Sequence, residues 1–283
     1  MKHLVAVAQI DCVLGNLKQN LEKHIHYIQK AIKEKAKLIL FPELSLTGYT
    51  LRDINIEIAV NPFKSNALDD LKKLSKDIII IVGGVEEGEN YGIYNSAFVF
   101  EDGELKHIHR KIYPPTYGMF EEMRYFSSGN KVHTFETKIG RMGILICEDL
   151  WHISLPYLLA IQGATIIAGL AASPTRISGE SDELTNYKIN SEHHKTYARL
   201  LSIYLLFSNR VGYEDGVNFW GGSEIVNSDG EVIALAKLFE EDLIFGEIDF
   251  NTIKRSRQFS RHFIDENPFL VARELERILK FEK

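Results

Sequence analysis

The sequence predicts an α/β layered fold with mixed sheets, on three observations. Short apolar runs alternate with segments of helical period. Two Asp-Gly pairs, each flanked by strand-like runs, mark antiparallel hairpins in a chain whose other strands are separated by helices. No repeat, low-complexity tract or linker interrupts the 283 residues, so one domain over 1–283 is expected.

LVAVAQI (4–10) is the first buried strand. The helix after it takes Asn16 as N-cap, since an Asn side chain accepts a backbone N–H that the first turn leaves unpaired, and Leu17, Leu21, Ile25, Ile28 and Ile32 share one face. KLILFPE (37–43) is a short strand ended by Pro42, and DIIIIVGGV (77–85) a third after a helix near 64–75. YNSAFVF and ELKHIHR flank Asp102-Gly103, whose residues tolerate the positive φ of a two-residue hairpin turn; GSEIVNSDGEVIALA repeats the pattern at Asp229-Gly230. RMGILI (141–146) and ATIIAGL (164–170) are strands on either side of a helix, LPYLLAIQ (155–162). A last helix has Asn267 as N-cap and Pro268 at its first position, with Val271, Leu275, Ile278 and Leu279 on a face that should pack on the core or on another subunit.

Composition, at 45% hydrophobic and 25% charged, is that of a soluble chain with a sizeable core. A net charge of −6 argues against nucleic-acid or anionic-membrane partners and leaves small molecules as clients. The apolar start is too short for a signal peptide, and no stretch reaches transmembrane length. Cys12 and Cys147 are too few for a disulfide framework, which predicts a cytoplasmic protein with a structural Cys12 and a Cys147 free to react.

Three reactive groups fall at a strand end or in the loop after it: Glu43 in LFPEL, Lys111 in HRKIYPP and Cys147 in ILICED. In α/β sheets that edge is where sites collect. A thiol needs a base to become a good nucleophile near neutrality, and a carboxylate raised by burial can serve. A nearby ammonium favours the thiolate and can stabilise an oxyanion. Glu, Lys and Cys thus make an acyl-transfer site without histidine. Of the ten histidines, His24 and His26 point apart on a helix, while His107 and His109 share a strand face, expected as an exposed hairpin face rather than a ligand pair. With no H-E-x-x-H, Gly-rich nucleotide loop or paired CxxC, no metal and no cofactor is expected.

LFPELSLTGY, RKIYPPTYGMFEEMRYF and GILICEDLW resemble, in that order, the three signature regions of the nitrilase (carbon–nitrogen hydrolase) superfamily. The likeness runs from AVAQI to FWGGSEIVNSDGEVIA. Within the superfamily, FPELSLTGY, YGMFEEMRYF, CEDLW, ASP (172–174) and VGYEDGVNFWGGS are most similar to the glutaminase domain of glutamine-dependent NAD synthetase. The resemblance implies a four-layer α-β-β-α sandwich with two mixed β-sheets, associating across helix faces into a homodimer or larger homo-oligomer. It implies Glu43 as general base, Cys147 as nucleophile and Lys111 as oxyanion stabiliser, with Glu122 orienting Lys111 and the attacking water. The family's K-x-x-x-P pattern selects Lys111 over Arg110, and the second glutamate of FEE selects Glu122 over Glu121. The amide of Glu148 is expected as a second oxyanion donor, its carboxylate turned from the sulfur because neighbours in an extended segment point to opposite faces. Asp149 and Trp151 are expected to hold the turn. Tyr117, Phe120, Arg176 and Trp220 are pocket candidates.

The implied reaction is hydrolysis of a small carboxamide, glutamine-like, to acid and ammonia through a cysteine thioester. The synthetase it resembles carries an ATP-using domain with an SGG-type phosphate loop, which this sequence lacks, and GLAASPTRISGESDELTNYK departs from the Gly-Lys and arginine spacing that follows ASP there. A free-standing amidase is therefore expected. A glutaminase subunit feeding a separately encoded synthetase is one alternative, and a non-catalytic binding or regulatory subunit another. Nitrile hydrolysis is disfavoured by CEDLW, where true nitrilases generally carry a tryptophan after the cysteine.

Overall fold

In a computed structural model that describes residues 1–175 and 184–281, the chain alternates strands and helices throughout. Strands β1 (Lys2–Gln9), β2 (Leu38–Leu40), β3 (Ile79–Glu87), β4 (Ile93–Glu101) and β5 (Glu104–Arg110) occupy the first half. The second half holds β6 (Phe135–Thr137), β7 (Gly140–Ile146), β8 (Ile166–Ala171), β9 (Tyr204–Asn209), the small ribbon of β10 (Val211–Glu214) and β11 (Val217–Trp220), then β12 (Glu224–Val226), β13 (Val232–Leu235) and β14 (Asp242–Asp249). The helices are α1 (Leu17–Lys33), α2 (Asn55–Ile58), α3 (Asp69–Leu74), α4 (Glu122–Tyr125), α5 (Ser154–Ile161), α6 (Thr185–Leu201), α7 (Phe250–Phe259) and α8 (Pro268–Phe281).

Two six-stranded sheets result, in the orders β14-β1-β2-β3-β4-β5 and β13-β12-β9-β8-β7-β6. Each has a parallel centre, β1-β2-β3 or β7-β8-β9, with antiparallel strands outside it, so both are mixed. Strand parity sorts the buried side chains into layers. Val5, Val7, Leu38, Leu40, Ile79 and Ile81 of the first sheet meet Met142, Ile144, Ile146, Ile166, Ala168 and Leu170 of the second in a core between the sheets. The alternate residues Ala6, Ala8, Ile39, Ile80 and Val82 face α1 and α3. Leu145, Ile167 and Leu205 face α5 and α6. The protein is thus an α-β-β-α sandwich. Each large side chain so buried contributes roughly 1.5–3 kcal/mol of transfer free energy.

The Asn16 cap is present, its Oδ1 accepting the Gln19 N–H at 3.0 Å. The expected stripe faces the core, with Ile28 buried and Leu17, Leu21 and Ile32 partly buried against it, while Ile25 stands outside it; Asn20, His24, Tyr27 and Ala31 complete the buried face. Two polar residues join that face because they bind the neighbouring loops: Asn20 Nδ2 donates to the carbonyls of Val13 and Leu46, and His24 meets the Ser45 hydroxyl. At the first hairpin Asp102 (φ +56°) and Gly103 (φ +84°) both adopt left-handed backbone. The second turn is longer, with Asn227 Oδ1 accepting the N–H groups of Asp229 and Glu231 at 3.0 Å.

The expectation of an exposed histidine face on the first hairpin is corrected. His109 pairs in register with Ala97 and His107 with Val99, and both partners belong to the core between the sheets. His109 is buried, and burial pushes His107 down to about 4, while its ring stacks on Phe135. The C-terminal helix is capped by Asn267 Oδ1 as expected, but Leu275, Ile278 and Leu279 stay exposed, so this face does not pack on the core. No helix among the described residues is long and apolar enough to cross a membrane.

Candidate active site

Glu43 lies just after β2, Lys111 just after β5, Cys147 just after β7 and Ala172 just after β8. Two of these come from each sheet, so the site sits where the two sheets open at one edge. Glu43 is held there by close backbone packing. Leu46 N–H donates to the Gly83 carbonyl at 3.0 Å, and a Cβ on Gly83 would stand 2.4 Å from Leu44 N and 2.6 Å from the Pro42 carbonyl oxygen. Only glycine fits this approach. His24 faces the same loop, with Nε2 2.9 Å from Ser45 Oγ. Burial drives His24 down to about 4, so the ring is neutral. Its Nδ1 donates to the Asn20 carbonyl, which leaves Nε2 to accept the Ser45 hydroxyl.

Lys111 is 1% exposed, and its Nζ donates to Glu43 Oε1 at 2.8 Å and to Glu122 Oε1 at 2.7 Å. The Glu43 carboxylate also accepts the Asn95 amide at 2.7 Å on Oε1 and the Ala172 N–H at 2.8 Å on Oε2. Glu122 Oε1 accepts the Tyr49 hydroxyl at 2.5 Å, while Oε2 is buried without a partner among the described residues. Burial would by itself lower the Lys111 pKa, but the carboxylates of Glu122 and Glu43 outweigh it and hold the ammonium well above its ordinary value. Burial lifts Glu122 to about 7, against the opposing pull of Lys111, so a proton can rest there near neutrality. Tyr49 is raised well above the tyrosine range by burial and the Glu122 charge, and stays a neutral donor.

Cys147 opens a short 3₁₀ turn, Cys147–Trp151, with φ +49°, a left-handed conformation that costs a side-chain-bearing residue energy and turns it out of the strand. The expected extended Cys147-Glu148 segment is therefore corrected: the direction change is made at the cysteine itself. Burial pushes the thiol well above its usual range and the Glu43 charge adds to this, whereas Lys111 and the Ala172 N–H act the other way. The resting group is thus a protonated thiol, on a half-buried residue. Cys12, in contrast, is buried and pushed up to about 12 by that burial.

The structure also separates neighbours that the sequence leaves adjacent. Arg110 turns away from Lys111, donating to Glu86 at 2.9 and 2.6 Å and lying over the Tyr94 ring. Glu122 is buried and Glu121 exposed. Tyr117 is half exposed and donates its hydroxyl to Glu148 Oε2 at 2.7 Å, with Phe120 edge-on to its ring. The Glu148 carboxylate is therefore held by the Tyr117 hydroxyl, a partner that the sequence does not display. Trp220 is 1% exposed, packed against Phe207 and Tyr187, with its indole N–H on Ser173 Oγ at 3.1 Å. It stands behind the Ala172-Ser173 backbone. Arg176 lies outside the described residues.

Sequence reasoning missed Asn95 as a Glu43 partner and left Asp149 without partners. Asp149 is fully buried, its Oδ1 accepting the N–H groups of Ile112 and Tyr113 and its Oδ2 that of Ile146. An acidic residue two positions after Cys147 was the available signal, but three of its four partners are backbone groups that sequence does not display.

The family model described as carbon–nitrogen hydrolase matches residues 4–258. A glutamine-dependent NAD(+) synthetase from Acinetobacter baylyi is 34% identical over 250 residues, covering 87% of this chain and 44% of that protein. The solved glutamine-dependent NAD+ synthetase of Acinetobacter baumannii superposes with a TM-score of 0.81 at 32% identity, over 89% of this chain and 47% of that one. Nit3 of Saccharomyces cerevisiae, a member of branch 10 of the nitrilase superfamily, superposes at 0.80 with 26% identity, over 91% and 93% of the two chains. The chain thus spans less than half the length of the synthetases it matches and nearly all of Nit3.

Proposed function

The chain belongs to the carbon–nitrogen hydrolase family, and from that premise we propose that it hydrolyses a small, glutamine-like carboxamide to an acid and ammonia through a thioester on Cys147. The observation that carries the reading is the Lys111 ammonium, 2.8 Å from Glu43 and 2.7 Å from Glu122, in a buried cluster whose charges act on the Cys147 thiol.

Glu43 takes the Cys147 proton as sulfur attacks the amide carbon, since a thiol held neutral by burial needs a base at the moment of attack. The new C–S bond places negative charge on the former carbonyl oxygen, which Lys111 and the Glu148 N–H stabilise. The C–N bond then breaks, and nitrogen leaves as ammonia with the proton that Glu43 carried. Water gives a proton to Glu43 and attacks the thioester; the C–S bond breaks, and the sulfur recovers its proton from Glu43. Glu122 orients Lys111 and the attacking water, its Oε2, unpaired among the described residues, being available as an acceptor. Tyr117, Phe120 and Glu148 form one wall of the substrate pocket, and Trp220 supports the opposite backbone. A glutamine-like substrate is supported by the names of the relatives, each a glutamine-dependent synthetase.

A second reading, a glutaminase subunit that passes ammonia to a separate synthetase, is supported by the 44% share of such a relative that this chain covers. A purely binding role would leave a buried ammonium between two carboxylates, costly to desolvate, without a task. The reading includes one hydrolase domain over 1–283, a cytoplasmic setting for two free thiols, and a homodimer or larger homo-oligomer, for which the exposed apolar face of α8 offers surface.

Ammonia release from a panel of amides, ureas and nitriles, compared with the Cys147→Ala protein, tests the proposal. Cys147-dependent release from a glutamine-like amide is expected, and no such release from any amide overturns it. If the second reading holds, an added synthetase raises turnover and co-elutes.

A further inference from the structure

We propose that Asp149 is a positioning residue that sets the separation of the Lys111 ammonium and the Cys147 sulfur by holding both backbones on one carboxylate. The inference rests on the catalytic reading of those two residues and adds the device that brings them together.

Lys111 and Cys147 belong to different sheets, and no hydrogen bond within either sheet fixes the distance between them. Asp149 spans the gap. Its Oδ1 accepts the N–H groups of Ile112 and Tyr113, both at 3.0 Å, the two residues immediately after Lys111. Its Oδ2 accepts the N–H of Ile146, the residue immediately before Cys147, at 3.1 Å. His109, two residues before Lys111 on β5, stands with Nε2 3.2 Å from the same Oδ2. An ionised carboxylate only accepts, so the ring must carry its proton on that nitrogen. Donors therefore flank Lys111 on both sides and meet the entry to the cysteine turn on a side chain that is itself within the turn and fully buried.

The arrangement also explains how Cys147 keeps its left-handed backbone, φ +49°. Strain of this kind persists only where the surroundings over-determine it, and the Asp149 bond back to Ile146 closes the turn over it. Hydrogen bonds to a charged acceptor are about twice as strong as neutral ones. Replacing one oxygen by an amide nitrogen sets a donor against a donor, either Ile146 and His109 or the Ile112-Tyr113 pair, and separates the two backbones that the carboxylate joins.

The test is the pH dependence of Cys147 alkylation by iodoacetamide in the intact chain, which needs no substrate, together with kcat and KM. In Asp149→Asn the proposal expects Lys111 to withdraw from the sulfur, raising the pH midpoint of alkylation by about one unit and lowering kcat about 100-fold with a much smaller change in KM. Loss of a negative charge with no movement would lower that midpoint instead, and loss of fold stability alone would leave it in place; either result in folded protein overturns the proposal. His109→Leu, which keeps the three backbone donors, should raise the midpoint less, and supplies the same test if Asp149→Asn does not fold. Lys111→Met is the control for the underlying reading: if it does not move the midpoint, Lys111 does not act on the sulfur, and the catalytic reading falls together with this one.

Discussion

Tyr49 donates its hydroxyl at 2.5 Å to the same Glu122 oxygen that faces the Lys111 ammonium. That bond favours the ionised carboxylate against the burial that lifts Glu122 to about 7. Tyr49→Phe removes it and should move the acid limb of the kcat/KM profile upward from near 7, lowering activity at neutral pH about 10-fold. A pH–rate profile of the two proteins decides it; an unmoved limb means that Glu122 does not govern that side.

Glu122 also predicts the pH dependence of stability. Its ordinary value of 4.5 is raised to about 7 in the fold, so between those values the folded state holds a proton that the unfolded chain has released. Its contribution to stability is complete below 4.5 and is lost as pH rises through about 7. Urea unfolding across that window should show stability falling with pH, and Glu122→Gln should flatten the slope.

Lys111 and Arg110 should not exchange roles. Lys111 fills a site with 1% exposure between two carboxylates, whereas Arg110 grips Glu86 with two nitrogens and lies over Tyr94. Lys111→Arg should lower kcat by about 100- to 1000-fold, since a longer planar group cannot occupy the compact position. Arg110→Lys should retain turnover and lose about 1 kcal/mol of stability. Comparable loss of turnover in both variants would refute the assignment.

Gly83→Ala should damage the site from behind. Its Cβ would meet the backbone that carries Glu43 at 2.4–2.9 Å, atoms that cannot swing aside as a flexible side chain would. A loss of about 1–3 kcal/mol is expected, with activity falling further than stability because the displaced segment carries Glu43, the proposed base. Thermal unfolding and ammonia release measured on the same sample check both.

What was legible in the sequence follows from the range of the interactions involved. The Asp102-Gly103 turn and the Asn16 and Asn267 caps are local, settled within a few residues, and appear as expected. Glu43, Lys111 and Cys147 lie at strand ends, and the topology brings those ends to one edge. The burial of Asn20 and His24 was not legible, because a helical stripe records hydrophobicity and not the carbonyls and the Ser45 hydroxyl that loops leave to be bonded. His109 was misread for a related reason: strand alternation shows which residues share a face, and only the second sheet decides that this face is inside. Of the four partners of Asp149, Ile112, Tyr113 and His109 lie 37, 36 and 40 residues away, and three of the four are peptide groups, so no side-chain pattern announces the set.

The most direct measurement is intact-mass and peptide mass spectrometry of acid-quenched enzyme during turnover of a glutamine-like carboxamide. The account predicts an adduct equal in mass to the substrate acyl group, on the peptide that contains Cys147, released by hydroxylamine and absent from Cys147→Ala. Steady ammonia release that persists in Cys147→Ala, or an acyl adduct on another residue, would contradict it.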